Sequence, residues 1–197
     1  MENLYSATKK EDYIKLISAR LSQKRVNHSL SVADMAVKLS KRWGYDDLDK
    51  AYCCGLLHDI CKNEPDTVQL SMAEQSGYEL VPEVLSEVKL LHAPAGAFYC
   101  KTFLKIDDTE FLDAVRWHTE GHAAMSKLEK IIFAADTVGL DRDFPDIESY
   151  RKLAFDDLNR FIVEYYAWTF FDLLKKQSPI TASQLGGYNY YLYKIRN

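Results

Sequence analysis

Five histidines occur in this chain, His28, His58, His92, His118 and His122, and the first four fall at the ends of helix-forming segments or on their apolar faces. His58 is followed directly by Asp59 and shares a helical face with Ala51, Cys54 and Gly55. Gly55 on that inward stripe would let a neighbouring helix approach closely. His28 precedes Val32 by one helical turn, His118 follows Val115 by one turn, and Asp136 follows Ile132 by one turn. A buried carboxylate is strongly unfavourable unless it is paired or bound to a cation. Taken singly, each of these histidines reads as a hydrogen-bonded core residue. Several inward imidazoles accompanied by two aspartates read instead as a metal site. Mixed imidazole and carboxylate donors suit iron, manganese, zinc or cobalt better than calcium or magnesium. Asp59 has two oxygens with which to bridge two ions, and such a pair activates water and neutralises phosphate oxygens together.

Helices must position these groups. Apolar residues recur at three- and four-residue steps, and alternating strand-like runs are absent. The pattern predicts helices over 9–21, from near His28 to Gly44, over 47–62, over 67–76, and from Pro82 to His92. Pro94 is then expected in the first turn of a separate helix over 95–104. Asp108 or Thr109 should cap a helix reaching His118, and Ser126 with Glu129 forms a capping box for a helix over 127–137. After a loop over 139–145, two helices should fill 147–176. Gly186 and Gly187 should break any helix in the segment from Ser178. The expected class is all-α: one helical bundle over 1–197, with a core at about 13–140 and C-terminal helices at about 147–191 packed on it. Ligands from five different helices can converge in such a core.

Composition narrows the partners. The 197 residues suffice for one sizeable core, and the formal charge of −4 comes with no Lys/Arg block. That argues against a nucleic-acid partner and leaves a small phosphorylated substrate, for which a few local cations suffice. Cys53, Cys54, Cys61 and Cys100 form no C-x-x-C pair and read as reduced, buried thiols. Residues 1–10 carry no apolar run of signal-peptide type, and no stretch reaches the length of a membrane span. The expected location is the cytoplasm. Oligomeric state is not written in the sequence, and a homodimer is one arrangement open to it.

The order H…HD…H…H…D resembles the HD superfamily of metal-dependent phosphohydrolases. The stretches KRVNHSLSVADMA (24–36), AYCCGLLHDICK (51–62), LLHAPAGA (90–97), VRWHTEGHAAMSKLEKIIFAAD (115–136) and DRDFPDI (141–147) carry a narrower resemblance. It is to the YqeK-like HD-domain proteins, which are symmetrical bis(5'-nucleosyl)-tetraphosphatases, and it extends from about residue 13 to 191. The LLHAP and HTxG…MSxLEKIIF…AD stretches are far more specific than the HD pair alone. The chain departs from the family after its last aspartate. The family pattern there is close to AD-Y-I-E-P-x-R, and here the residues are Ala135, Asp136, Thr137, Val138, Gly139, Leu140, Asp141 and Arg142.

The resemblance implies two metal ions, iron by preference, with manganese, cobalt or zinc as alternatives. His28, His58, Asp59 and Asp136 would hold one ion, and Asp59, His92 and His118 the other. The implied reaction splits diadenosine tetraphosphate in the middle of its phosphate chain into two ADP. Asp59 and Lys62 are then the candidate catalytic residues, and Lys62, Thr119 and Arg142 the candidate substrate contacts. His122 is expected outside the ligand set. Aromatic residues of the C-terminal segment, Tyr165, Tyr166, Trp168, Phe170 and Phe171, read as core rather than as an adenine platform. Competing readings are an HD phosphohydrolase for a deoxynucleotide or cyclic nucleotide, a non-catalytic metal- and nucleotide-binding module, and a purely structural bundle. The G-Y-P stretch of the cyclic-dinucleotide branch does not occur.

Overall fold

A computed structural model describes residues 4–197 of the chain. Side-chain caps start most helices: Ser6, Asp47, Asp108, Ser126, Asp157 and Thr181 each accept a bond from a first-turn backbone N–H. The elements are α1 (Ala7–Arg20), α2 (Gln23–Trp43), α3 (Leu48–Leu57), α4 (Asp66–Glu74), α5 (Pro82–Ser86), α6 (Val88–Thr102), α7 (Thr109–Trp117), α8 (Lys127–Val138), α9 (Ile147–Asp156), α10 (Leu158–Lys176) and α11 (Ala182–Arg196). Among the described residues there is no strand.

The core lies where α2, α3, α7 and α8 meet. Val32, Ala36, Leu39, Leu57, Phe111, Val115, Ile131 and Ile132 are fully buried there. Burying a large aliphatic or aromatic side chain contributes roughly 1.5–3 kcal/mol. That surplus offsets the cost of burying the polar side chains at the centre of the same bundle. All four cysteines are buried and free, as expected. No helix among the described residues is long and apolar enough to cross a membrane.

Four boundaries differ from the periodicity reading. α2 starts at Gln23, because Ser22 is extended (φ −62°, ψ 153°) and Val26 already faces the core, so His28 sits in its second turn. α3 ends at Leu57, and the chain runs through turns from His58 to Asn63. Lys62 is therefore not one helical turn beyond His58. The break expected near His92 comes instead at Glu87, and α6 continues through Pro94. Pro94 leaves one helical carbonyl without its partner. The surrounding Ala93, Ala95, Gly96 and Ala97 are all buried, so close packing holds the helix together. Finally, α11 runs through Gly186 and Gly187. A capping box at Thr181 and Gln184 starts it, and Gly187 lies against Tyr166 of α10, where a Cβ would come within 2.6 Å of the hydroxyl oxygen. Tight contact between α10 and α11 overrides helix propensity there.

Candidate metal centre

Five elements each deliver part of the site. His28 comes from α2, His92 from α6 and Asp136 from the last turn of α8. His58 and His118 are the C-terminal caps of α3 and α7, and Asp59 follows His58 in the turn. The close approach of α2 to α3 needs Gly55: a Cβ there would lie 2.6 Å from Ala33 Cα.

Imidazole Nε2 atoms converge on two carboxylates. His92 Nε2 lies 3.0 Å from Asp59 Oδ1 and His118 Nε2 lies 3.6 Å from the same oxygen. His58 Nε2 is 3.6 Å from Asp59 Oδ2 and 3.8 Å from Asp136 Oδ1. His28 Nε2 is 2.9 Å from Asp136 Oδ1 and 4.0 Å from Asp59 Oδ2. His92 and His118 bring their Nε2 atoms within 3.1 Å of each other.

The opposite ring nitrogens are tied back. His58 Nδ1–H donates to Gly55 O and His118 Nδ1–H to Val115 O, both at 2.7 Å. His28 Nδ1–H donates to Asp141 Oδ2 at 2.8 Å. A carbonyl can only accept, so in His58 and His118 these bonds place the proton on Nδ1 and leave the Nε2 lone pair facing the site. His58 Nε2 is buried and has no hydrogen-bond partner. An orphaned buried acceptor among imidazoles and carboxylates fits a cation, whose chemistry asks for that donor set. Two groups of side chains have the spacing to hold a metal ion: His28, His58 and Asp136, and His58, Asp59 and His118.

Charge in the site follows from burial and from these neighbours. Burial lowers the pKa of His58 and of His92 to about 4, so both imidazoles are neutral at neutral pH. Burial also opposes charge on His28, but Asp136 outweighs it and raises the pKa. Burial would raise Asp59, yet His58, His118 and His92 hold it well below the usual carboxylate range. Arg142 does the same for Asp136 against a similar burial effect. Anionic carboxylates beside the neutral imidazoles of His58 and His92 are the protonation states that metal binding requires.

The HD domain family matches residues 25–139 of this chain. The chain belongs to the HD-domain family. A protein of Halalkalibacterium halodurans named "Bis(5'-nucleosyl)-tetraphosphatase, symmetrical" is 36% identical over 89% of this chain and 93% of its own length. One of the same name from Bacillus subtilis is 32% identical over 92% of this chain and 96% of its own length. A crystal structure from Clostridium acetobutylicum, described as a predicted HD superfamily hydrolase involved in NAD metabolism, superposes with a TM-score of 0.90. It is 32% identical and covers 94% of this chain and 97% of that one.

The remaining candidates on this HD domain fare unevenly. Lys62 Nζ sits 3.0 Å from His92 Nδ1, at the edge of the site. Arg142 bonds Asp136 twice, through Nε to the backbone oxygen at 2.8 Å and through Nη2 to Oδ1. Thr119 Oγ1 is buried and makes no bond to any ligand side chain. His122 lies apart, with Nε2 2.6 Å from Glu129 Oε1. The aromatic run of α10 is mixed: Tyr166 is core, while Trp168 and Phe171 are exposed.

Two neighbours escaped the sequence reading. Arg25 Nη1 is 2.9 Å from Asp59 Oδ2. It lies three residues before His28 on the same helix face, a spacing that could have exposed it. Asp141 orients His28 from the loop that departs from the family pattern. That loop folds closely because residue 139 is glycine: a Cβ there would lie 2.8 Å from Asp141 Oδ1 and 3.1 Å from Ser31 Oγ. No periodicity signals such a contact. Removing an orienting acceptor of this kind costs roughly 10–100-fold in metal affinity. Asp141→Ala is therefore expected to weaken metal binding by that factor while unfolding at nearly the wild-type temperature. Competition against a chelator measures it, and unchanged affinity would show that Asp141 does not orient His28.

Proposed function

We propose that this HD protein hydrolyses diadenosine tetraphosphate symmetrically to two ADP. The observation that carries this is the convergence of four imidazole Nε2 atoms on Asp59 and Asp136. Near-full-length relatives named as symmetrical tetraphosphatases support it. In this reading His28, His58, Asp59 and Asp136 hold one divalent ion and Asp59, His92 and His118 a second. The resemblance favours iron, and the donor set suits manganese, cobalt or zinc as well. Bound there, two such cations supply positive charge at phosphate oxygens and lower the pKa of water.

The chain's own groups orient the substrate. Asp59 is the catalytic carboxylate, shared between the two halves of the site. Lys62 keeps its ammonium on His92 with no carboxylate within ion-pair distance among the described residues, free to take a phosphate oxygen. Arg142 is anchored on Asp136 and offers its remaining N–H groups to phosphate. Arg25 flanks the other carboxylate in the same way. Addition of water to an inner phosphorus and departure of the other half as ADP leaves a second ADP, which balances the reaction. We read residues 1–197 as one such domain, working in the cytoplasm on a small nucleotide, with a homodimer as one arrangement open to it.

Chromatography of products from the iron- or manganese-loaded protein tests the activity. ADP as sole product is expected, and AMP with ATP refutes symmetric cleavage. A panel including deoxynucleotides and cyclic nucleotides tests the second reading, in which the altered loop at Thr137–Asp141 redirects the same site to another nucleotide.

A further inference from the structure

A cavity of about 170 Å³ adjoins the metal centre through His92. Its walls are Lys62, Asp66, Gln69, Val88, Lys89 and His92. Whole small-molecule sites run to ~300–1,000 Å³, so this one takes a fragment of a ligand, not a nucleoside with its phosphates. Its charge is the informative feature. Arg25 and Arg142 each face a carboxylate of the metal centre. Lys62 and Lys89 have no ion pair among the described residues. Asp66, on the first turn of α4, bonds neither lysine, so the cavity keeps one net positive charge.

Lys89 is also misplaced for helix stability. It stands in the first turn of α6, where the helix dipole favours anions and disfavours an ammonium. An anion in the cavity would meet both lysines together. Lys89 precedes His92 by three residues and so shares its face of α6.

We propose that this cavity is a phosphate subsite, with Lys89 the specificity-determining residue that takes the phosphate next to the one attacked. This rests on the hydrolase reading above and adds to it a preference for long phosphate chains.

The probe is inorganic tripolyphosphate, titrated by calorimetry into the protein as purified, without free divalent cation, beside orthophosphate. Wild type should bind tripolyphosphate more tightly than orthophosphate. Lys89→Gln should lose about ten-fold in tripolyphosphate affinity, as expected for one charge-assisted contact, and little for orthophosphate. Lys101→Gln, the same charge change at the far end of α6, should lose neither. The melting temperature of Lys89→Gln should equal or exceed that of wild type. Equal tripolyphosphate affinity in wild type and Lys89→Gln overturns the subsite, as does a drop in melting temperature, which would mark Lys89 as structural. With diadenosine tetraphosphate, Lys89→Gln should raise KM about ten-fold and leave kcat within about two-fold. A wild-type protein inert toward that substrate would sink the hydrolase reading alone, and the calorimetry would still decide the subsite.

Discussion

Replacing Asp59 with alanine is expected to give a folded, helical protein that no longer retains its metal ions and turns over diadenosine tetraphosphate about 10³-fold more slowly or worse. Asp59 is the one proposed ligand that faces both halves of the centre. Oδ1 lies toward His92 and His118, and Oδ2 toward His58, His28 and Arg25. Of the four histidines, Asp136 reaches only His28 and His58. No other side chain can replace the bridge.

The fold should survive this change. Removing one partner of a buried ion pair is damaging when it strands a buried charge. Here His58 and His92 are already neutral at neutral pH. Arg25 is about one-third exposed and can turn to water. Compared between the metal-free proteins, the expected loss of stability is about 1–3 kcal/mol, the cost of the buried hydrogen bonds left unmade. Elemental analysis should find about two ions per wild-type chain and fewer than one in Asp59→Ala, with matching far-ultraviolet circular dichroism. Wild-type metal content and turnover in the variant would remove the basis for the two-ion reading.

Local chemistry explains which parts of this were legible in the sequence. The ligand histidines sit on apolar stripes, so helical periodicity alone brings His28, His58, His118 and Asp136 inward. Capping residues gave the starts of α7 and α8 correctly. What failed was wherever a long-range contact overrides a local preference. Pro94 and Gly186–Gly187 are local helix breakers, yet α6 and α11 run through them because small residues in each let a neighbouring element pack against the backbone. Glycine at 187 reads as a stop by propensity, whereas in the fold it makes room for Tyr166. Asp141 was illegible for a related reason. Its partner His28 is 113 residues away in sequence, and the two meet only through the tertiary path of the loop after α8. Lys62 was assigned to the right neighbourhood by the wrong route: the chain leaves the helix at His58, and a turn delivers the ammonium to His92.

A pair of glycine substitutions should separate these two influences by sign. Gly55→Ala and Gly186→Ala make the same chemical change inside a helix, where alanine is favoured by up to about 1 kcal/mol. Around Gly186 nothing lies within 4 Å of the added carbon, so propensity acts alone and the melting temperature should rise by roughly 2 °C. At Gly55 the added carbon meets backbone atoms of α2, Ala33 Cα at 2.6 Å and Ala33 N at 2.8 Å. A backbone cannot rotate aside as a side chain can, so α2 and α3 must part. Overpacking of this kind costs about 1–3 kcal/mol, and the rigid contact puts Gly55→Ala at the upper end. The net loss after the propensity gain is about 2 kcal/mol, a fall of roughly 4–8 °C. Parting α2 from α3 also separates His28 from His58, whose rings lie 5.3 Å apart, so metal affinity should fall with stability. Thermal melts of the two variants with a chelator titration decide the matter. If Gly55→Ala is as stable as wild type and keeps its metal, the two helices have room to spare and the close approach is not what sets the distance between the first two histidines.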